Sequence, residues 1–339
     1  TAVQEGHLVA NVCTGPVAAA WWDGVWSSDI QRSALVLTNI DATEAVVSVS
    51  LIGETGPIEA AGLRQIEIQR YSTRLIAFEA FGIQSEAPFS VVLRSDRGRV
   101  TGLLRSQGEL GEDWRAASTA PADHLVLPAV TTSQGDRYLF IANHGSSRAQ
   151  VELFGLGAGP AVPLTGEMAG AADPITGGLT VAAQTSTRID VSQALANDLV
   201  GLELRSDQPI TATLVVTGPD MAAVGAQPAL AGGMDLPVIP GASLTITNPG
   251  SDPVTVTLTQ LSPEGEEVNR MDAVAFPGSR ILALTAGSGS YRLTPGGPGL
   301  RAAVVIQQLG EAAGLAVAPL GVGGAVGLSV AIDYDPSFG

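Results

Sequence analysis

Lysine is absent from this chain. All 17 basic residues are arginine, set against 33 acidic ones for a net charge of −16 over 339 residues. The acidity is even, with balances of −5, −6 and −5 over residues 1–120, 121–233 and 234–339. No segment carries the clustered basic stripe that phosphate contacts require, so nucleic acid is excluded as a partner. An anionic membrane surface is disfavoured for the same reason. Arginine-only usage beside abundant Ala, Gly, Val and Pro is the mark of a GC-rich genome.

Cysteine is nearly absent. Cys13 stands alone, which excludes an intramolecular disulfide, and no basic run flanks it to lower its thiol pKa. It is expected to be a small buried hydrophobe. So little cysteine suits a reducing cytoplasm, and equally the exported proteins of organisms that make few disulfides. There are three histidines. His7 and His124 open matching strands, which leaves His144, and one histidine makes no metal site. No metal and no cofactor are expected.

Enzyme signatures are also missing. "GLGAGPA" (155–161) and "TPGGPG" (294–299) are glycine-rich but lack the strand–loop–helix context of a phosphate cradle. There is no Gly-x-Ser-x-Gly elbow. Carboxylates are plentiful enough for a glycosidase pair, but spacing alone selects none. "NIDATE" and "DYD" offer oxygens for calcium without matching a known loop. The chain is therefore expected not to be an enzyme.

Long hydrophobic runs are lacking too. The nearest, residues 313–332, holds five glycines and Pro319 without flanking Arg or Lys. It reads as two short strands around "GVGGAV" rather than a membrane span. The opening "TAVQEGHLVANV" shows no signal peptide, although a trimmed exported chain would look the same.

What the chain does have is strands. "SALVLTN", "VVSVSLIG", "FSVVLRSD" and "VTVTLTQL" are short, β-branched and punctuated by turn residues. "VSQALANDLV" (191–200) is the nearest candidate for a short helix. Self-comparison is more telling. "LVLTN", "LFIAN" and "LTITN" end at Asn39, Asn143 and Asn248, which are 104 and 105 residues apart. "STRLIAFEA", "STRIDVSQA" and "GSRILALTA" follow, with Arg74, Arg188 and Arg280. Then come "VVLRSD" with Arg94, "LELRSD" with Arg205 and a weaker "SYRLTP" with Arg292.

This order predicts an all-β protein of three tandem immunoglobulin-like β-sandwich repeats of about 105 residues. Their bounds are 1–120, 121–233 and 234–339, with linkers at 116–123 and 225–233. A single larger β assembly built from three copies is the alternative. Residues that recur in every copy serve the fold. Each asparagine is expected to bond its own backbone two residues on. The Arg74 set is expected to tie a strand to a neighbouring loop, and the "LRSD" arginines to sit at a local hydrogen-bonded corner with Asp96 and Asp207.

Only 4% of residues are aromatic, yet three of the four tryptophans crowd "AAAWWDGVWSSD". This stretch reads as an insert between an opening strand "HLVANV" and "SALVLTN". As a plug, Trp22 and Trp26 would cover the end of a sandwich, with Trp21 against the next unit. As a recognition surface, Trp21, Trp22, Asp23 and Trp26 would bind a sugar or a protein, with Asp23 and Asp29 as acceptors.

The run 99–155, with "DWRAAS", the "LP" strand and "ANHG", resembles an uncharacterised family of exported, membrane-anchored actinobacterial proteins, a domain of unknown function with a β-rich ectodomain. That family is associated with envelope glycosyltransferase gene neighbourhoods. The resemblance implies an extracytoplasmic accessory role in cell-envelope assembly, with an envelope protein or membrane glycosyltransferase as partner. This sequence departs from the family in showing no anchor. Two alternatives stay open: a glycan-binding module for polysaccharide, and a structural subunit that self-associates by donating "GLSVAI" to a neighbour's sheet edge.

Overall fold

The computed structural model describes residues 2–4, 7–12, 14–129, 135–164, 178–195, 199–218, 220–239, 241–284, 289–308 and 314–321. Among them the chain is all-β, with helical turns at Ala61–Leu63 and Phe78–Phe81. Cys13 and residues 322–339, the greater part of the proposed C-terminal strand pair, lie outside the described residues.

β1 (Ala2–Gln4) and β2 (His7–Val9) form a hairpin. A first group follows: β3 (Ala19–Ser27), β4 (Gln31–Asn39), β5 (Ala45–Gly53), β6 (Gly56–Ile58), β7 (Ile66–Ile68), β8 (Ser72–Ala77), β9 (Ser85–Arg97), β10 (Thr101–Gly108) and β11 (Gly111–Ala116). The second group is β12 (Ala122–Leu127), β13 (Asp136–Asn143), β14 (Ala149–Leu156), β15 (Val162–Pro163), β16 (Leu179–Val181), β17 (Thr185–Asp190), β18 (Gly201–Thr217) and β19 (Ala222–Gly225). The third is β20 (Met234–Pro237), β21 (Ala242–Asn248), β22 (Val254–Leu261), β23 (Glu267–Ala275), β24 (Gly278–Ala283), β25 (Ser290–Pro295), β26 (Arg301–Gln308) and β27 (Gly314–Leu320).

All three groups pair around an asparagine-terminated strand. β4 lies between β8 and β10, β13 between β17 and β18, and β21 between β24 and β26. The last strand of each group, β11, β19 or β27, adds beyond. A second layer has the strand orders β5-β9-β3, β14-β18-β12 and β22-β25-β20. β18 serves both layers as one 17-residue strand. In the other groups the same length breaks into β9 and β10, and β25 and β26, with Gly98 and Gly299 at positive φ in the breaks. Alternating apolar residues fill the space between layers, such as Leu35, Leu37, Val49, Val91 and Leu93 in the first group.

The groups are packed together rather than strung out. Leu8 and Ala10, beside β2, belong to the third group's core, while Leu315 and Val317 of β27 belong to the second group's. The Asp220 carboxylate joins three segments, accepting from the Leu8 and Leu315 N–H groups at 2.8 and 3.1 Å and from Met221 N–H at 2.9 Å. Thr119 N–H donates to Ala226 O, and Gln227 N–H to Val126 O, so both presumed linker stretches are pinned. Residues 191–195 form a turn closed by Ala194 and Leu195 N–H on Val191 O, where a helix was expected. Asp190 Oδ1 takes both the N–H and hydroxyl of Ser192, an Asx bond that starts the turn, and residues 196–198 of the candidate stretch lie outside the described residues.

Candidate functional site

The tryptophan-rich stretch is not an inserted loop. It is β3, the edge of the first group's second layer, and it pairs with β9 as β12 pairs with β18. "HLVANV", expected to open the first group, instead contributes to the third group's core. β3 breaks register between Trp22 and Val25 and again before Ser27, around Gly24 at φ +64°. Such bulges re-aim side chains. Trp22, 1% exposed, enters the first core, where Gly102 leaves room for its ring. Trp26 turns the other way and meets Phe140 of the second group edge-on, ring centres 5.3 Å apart. A Cβ on Gly24 would stand 2.6 Å from the Phe140 ring, so the glycine is needed for this approach. Trp21 is half-buried, and Asp23 is fully buried. Trp22, Asp23 and Trp26 thus face the interior.

Asp23 anchors a polar seam between the first two groups. Thr211 donates its hydroxyl to Asp23 Oδ1 at 2.8 Å, and Thr213 Oγ1 lies 3.4 Å from Oδ2. His144 Nε2 is 2.8 Å from Thr211 Oγ1. With the threonine proton committed to Asp23, the hydrogen-bond network assigns Nε2 as the donor. Ser90 and Ser186 hydroxyls meet across the seam at 2.9 Å. Arg115 donates to Gly24 O at 2.6 Å, and Asp113 accepts from Ala223 N–H at 3.0 Å.

Burial dominates the electrostatics here. It pushes the Asp23 carboxyl up against the pull of His144 and its hydrogen bonds, and pushes Asp113 up to about 7 despite Arg115 beside it. It brings Arg115 down to about 10 and holds the His144 imidazole below its ordinary value. The chain Asp23–Thr211–His144 resembles a catalytic relay in composition only. Its hydroxyl is spent on the carboxylate, and Asp23 is closed to solvent.

The seam between the second and third groups repeats the geometry. Ser279 holds the same register as Ser186, one residue in from the pair facing the asparagine. It stands over Gly201, where a Cβ would lie 2.4 Å from its hydroxyl. Ser279 N–H donates to Gly157 O at 2.7 Å, and Thr247 Oγ1 is 2.9 Å from Ser279 Oγ and 3.3 Å from Pro128 O.

Asn39, Asn143 and Asn248 make one bond set three times. Each side-chain amide donates to a carbonyl four residues on (Thr43, Ser147, Asp252) and to a second across the layer (Ile68, Val181, Ala275). Each Oδ1 accepts from the N–H two residues on. The arginines diverge. Arg74 pairs with Leu37 and Arg280 with Ile246, both two residues before the asparagine, whereas Arg188 pairs with Phe140, three before. A one-residue slip sends a side chain to the other face of its sheet. Arg74 therefore donates to Glu67 O, Arg280 is exposed, and Arg188 covers the Tyr138 ring at 5.4 Å. Arg205 pairs with Glu203 and lies 4.5 Å over Phe154. Arg94 is exposed, and Asp96 and Asp207 accept from Ser48 and the Gln150 N–H.

Residues 3–274 match one family across all of this. The chain belongs to DUF5719, a family of unknown function. No curated protein matches it. The matched span runs from the N-terminal hairpin into β23, so it includes the first seam, whereas Ser279, on the third-group side of the second seam, lies beyond it.

Among the described residues, no three His, Cys, Asp or Glu gather as a metal site, and no helix is long and apolar enough to cross a membrane. A surface groove of about 390 Å³ is lined by Glu54, Ile58, Glu59, Ile83 and Ser85. The Ser85 hydroxyl is committed to Ala87 O at 2.6 Å.

Arg115, Asp113, His144, Thr211 and Ser186 escaped sequence reading. One signal was available. "ITATLVVT" places Thr211 and Thr213 two apart in an otherwise apolar strand, which marks a second buried face rather than a solvated one.

Proposed function

We propose that this chain is a non-catalytic extracytoplasmic interaction protein, an accessory factor in cell-envelope assembly, built of three tandem immunoglobulin-like sandwiches. The observation that carries the reading is strand β23. Its counterparts at the layer edge, β7 and β16, are three residues long, whereas β23 runs nine and is exposed along most of its length. Val268, Met271, Val274 and, just beyond, Phe276 stand out from it. Proteins ordinarily shorten or cover such edges, and one left long, with exposed apolar residues between Glu267, Arg270 and Asp272, offers a template for strand addition. The side chains with chemical potential, Asp23, Asp113 and Arg115, are meanwhile sealed in a seam. The lysine-free composition and the family resemblance favour an envelope setting, with an extended segment of an envelope protein as the added strand.

Glycan binding is the second reading. It rests on Trp114, half-buried, with Arg105 5.5 Å over its ring and Glu112 accepting its indole N–H at 3.0 Å. The test tethers the full chain and passes over it detergent-solubilised envelope membrane proteins, then purified envelope polysaccharide. Retention of a membrane protein that is lost in a Val274→Lys, Phe276→Glu variant supports the accessory reading. Polysaccharide retention lost in Trp114→Ala supports the second. Retention of neither overturns both.

A further inference from the structure

The outer face of β4, β8, β10 and β11 has two counterparts, and the chain covers both. Thr38, Val36, Leu103 and Leu75 hold the registers of Ala142, Phe140, Thr213 and Arg188 in the second group. The second-group face lies against the outer layer of the first group, with Ser186 on Ser90. The third-group face lies against the outer layer of the second, with Ser279 over Gly201. Among the described residues nothing lies over the first-group face: Leu75 is 43% exposed, and Val36, Leu103, Trp114 and Ala116 are half-buried.

One layer of the receiving kind is open as well. On β20, β22, β23 and β25, the residues Asp235, Arg292, Arg270 and Asp272 face solvent, and Arg292 holds the place of Glu203 in the second group's receiving layer. Neither free face carries net negative charge despite the −16 of the chain, the first adding an exposed Arg32 to a balanced pair. Arg105 is paired with Glu112 on one, and Arg292 with Asp235 and Arg270 with Asp272 on the other. Like-charge repulsion therefore does not oppose their meeting.

We infer that the open first-group face binds the open third-group layer of a second copy, head to tail, repeating between chains the seam made twice within one. This rests on the interaction-protein reading and adds a partner, this chain itself, which meets the face of the layer, Arg270 and Asp272 of β23 included, whereas an added strand pairs along the outer edge of β23. A heterologous contact of this kind closes into a ring or extends as a filament.

The test is sedimentation velocity of the full chain over a wide concentration range, with Leu103→Arg on one face and Thr259→Trp on the other. Near-ultraviolet circular dichroism checks that both variants fold. Mass should rise with concentration in the native chain, and each variant alone should associate about thirtyfold or more weakly. Mixed together they should form a dimer that does not extend, because each keeps the face the other has lost. A native chain that stays monomeric overturns the inference, as does a mixture that fails to pair or association that Thr259→Trp leaves intact. A monomer that still retains an envelope protein through the β23 edge overturns this inference while leaving the proposed function standing.

Discussion

At the first seam Ser186 bonds Ser90, Trp26 stacks on Phe140, and Asp23, Asp113 and Arg115 are buried beside them. At the second, Ser279 occupies the same register but faces Gly201, and the apolar contribution comes from Ala303, Leu315 and Val317 against the second group's core. Backbone docking is the same, and the chemistry is not. Each seam holds buried charge: Asp23, Asp113 and Arg115 in the first, and in the second Glu203, which meets His124 and Arg205 and acts on Arg301 of the third group. The carboxyls that burial raises, Asp23 and Asp113, belong to the first seam and give it a dependence on protonation of its own.

The largest difference should appear on removing the aromatic stack. Phe140→Ala deletes a fully buried ring from the first seam, and truncations of this kind cost about 3–5 kcal/mol. Val317→Ala removes two methyl groups at the second seam, for about 1–2 kcal/mol on the scale of 0.8 kcal/mol per methylene. Urea unfolding of both variants decides it. Equal losses would mean that Trp26 repacks and the stack does not hold the seam.

Protonation should have a smaller effect, because two groups oppose each other. Asp113 has its pKa raised from 3.8 to about 7, so its contribution is fully present below pH ~4 and lost as pH rises toward 7. Asp23 acts in the same direction. His144 is lowered, so its contribution is lost as pH falls below its ordinary 6.5. Asp113→Asn removes the first term and can keep the bond from Ala223 N–H. The variant should gain stability relative to the native chain between pH 4.5 and 7.5. A difference that does not change with pH would show that Asp113 stays ionised.

The legible part of the molecule was the part written in short-range patterns. The three asparagines announced their turns, because an Asx bond needs only the N–H two residues on. Arg188 misled because "STR" recurs while the strand beneath it is shifted by one, and sheet register is not visible in sequence. β3 was hidden by its own burial. Residues 22–28 are all buried, on both sides of a bulge, so no alternation remains to mark a strand. The hairpin at β2 was misassigned for a different reason. "HLVANV" looks like an opening strand, and nothing local says that its leucine packs more than 200 residues away, on Asp220 and the third core.

The finest comparison exchanges the two seams' central pair. Gly201→Ser places at the second seam the residue that the first has at Ser90. Its Cβ would arrive 2.4 Å from the Ser279 hydroxyl, closer than real Cβ atoms come, so the Ser279 side chain must leave its bond to Thr247 or the third group must shift. Overpacking of this kind costs about 1–3 kcal/mol. Ser90→Gly is the reverse change. It creates no clash, but it removes the Ser186 contact and the Ser90 bond to Asp23 and leaves Ser186 buried without its partner, for about 1–2 kcal/mol. Adding Ser186→Ala to Ser90→Gly should then cost little more, since the interaction is already gone. If instead the two losses simply add, the 2.9 Å contact contributes nothing across the seam, and the first two groups are held by the aromatic stack and the Asp23 network alone.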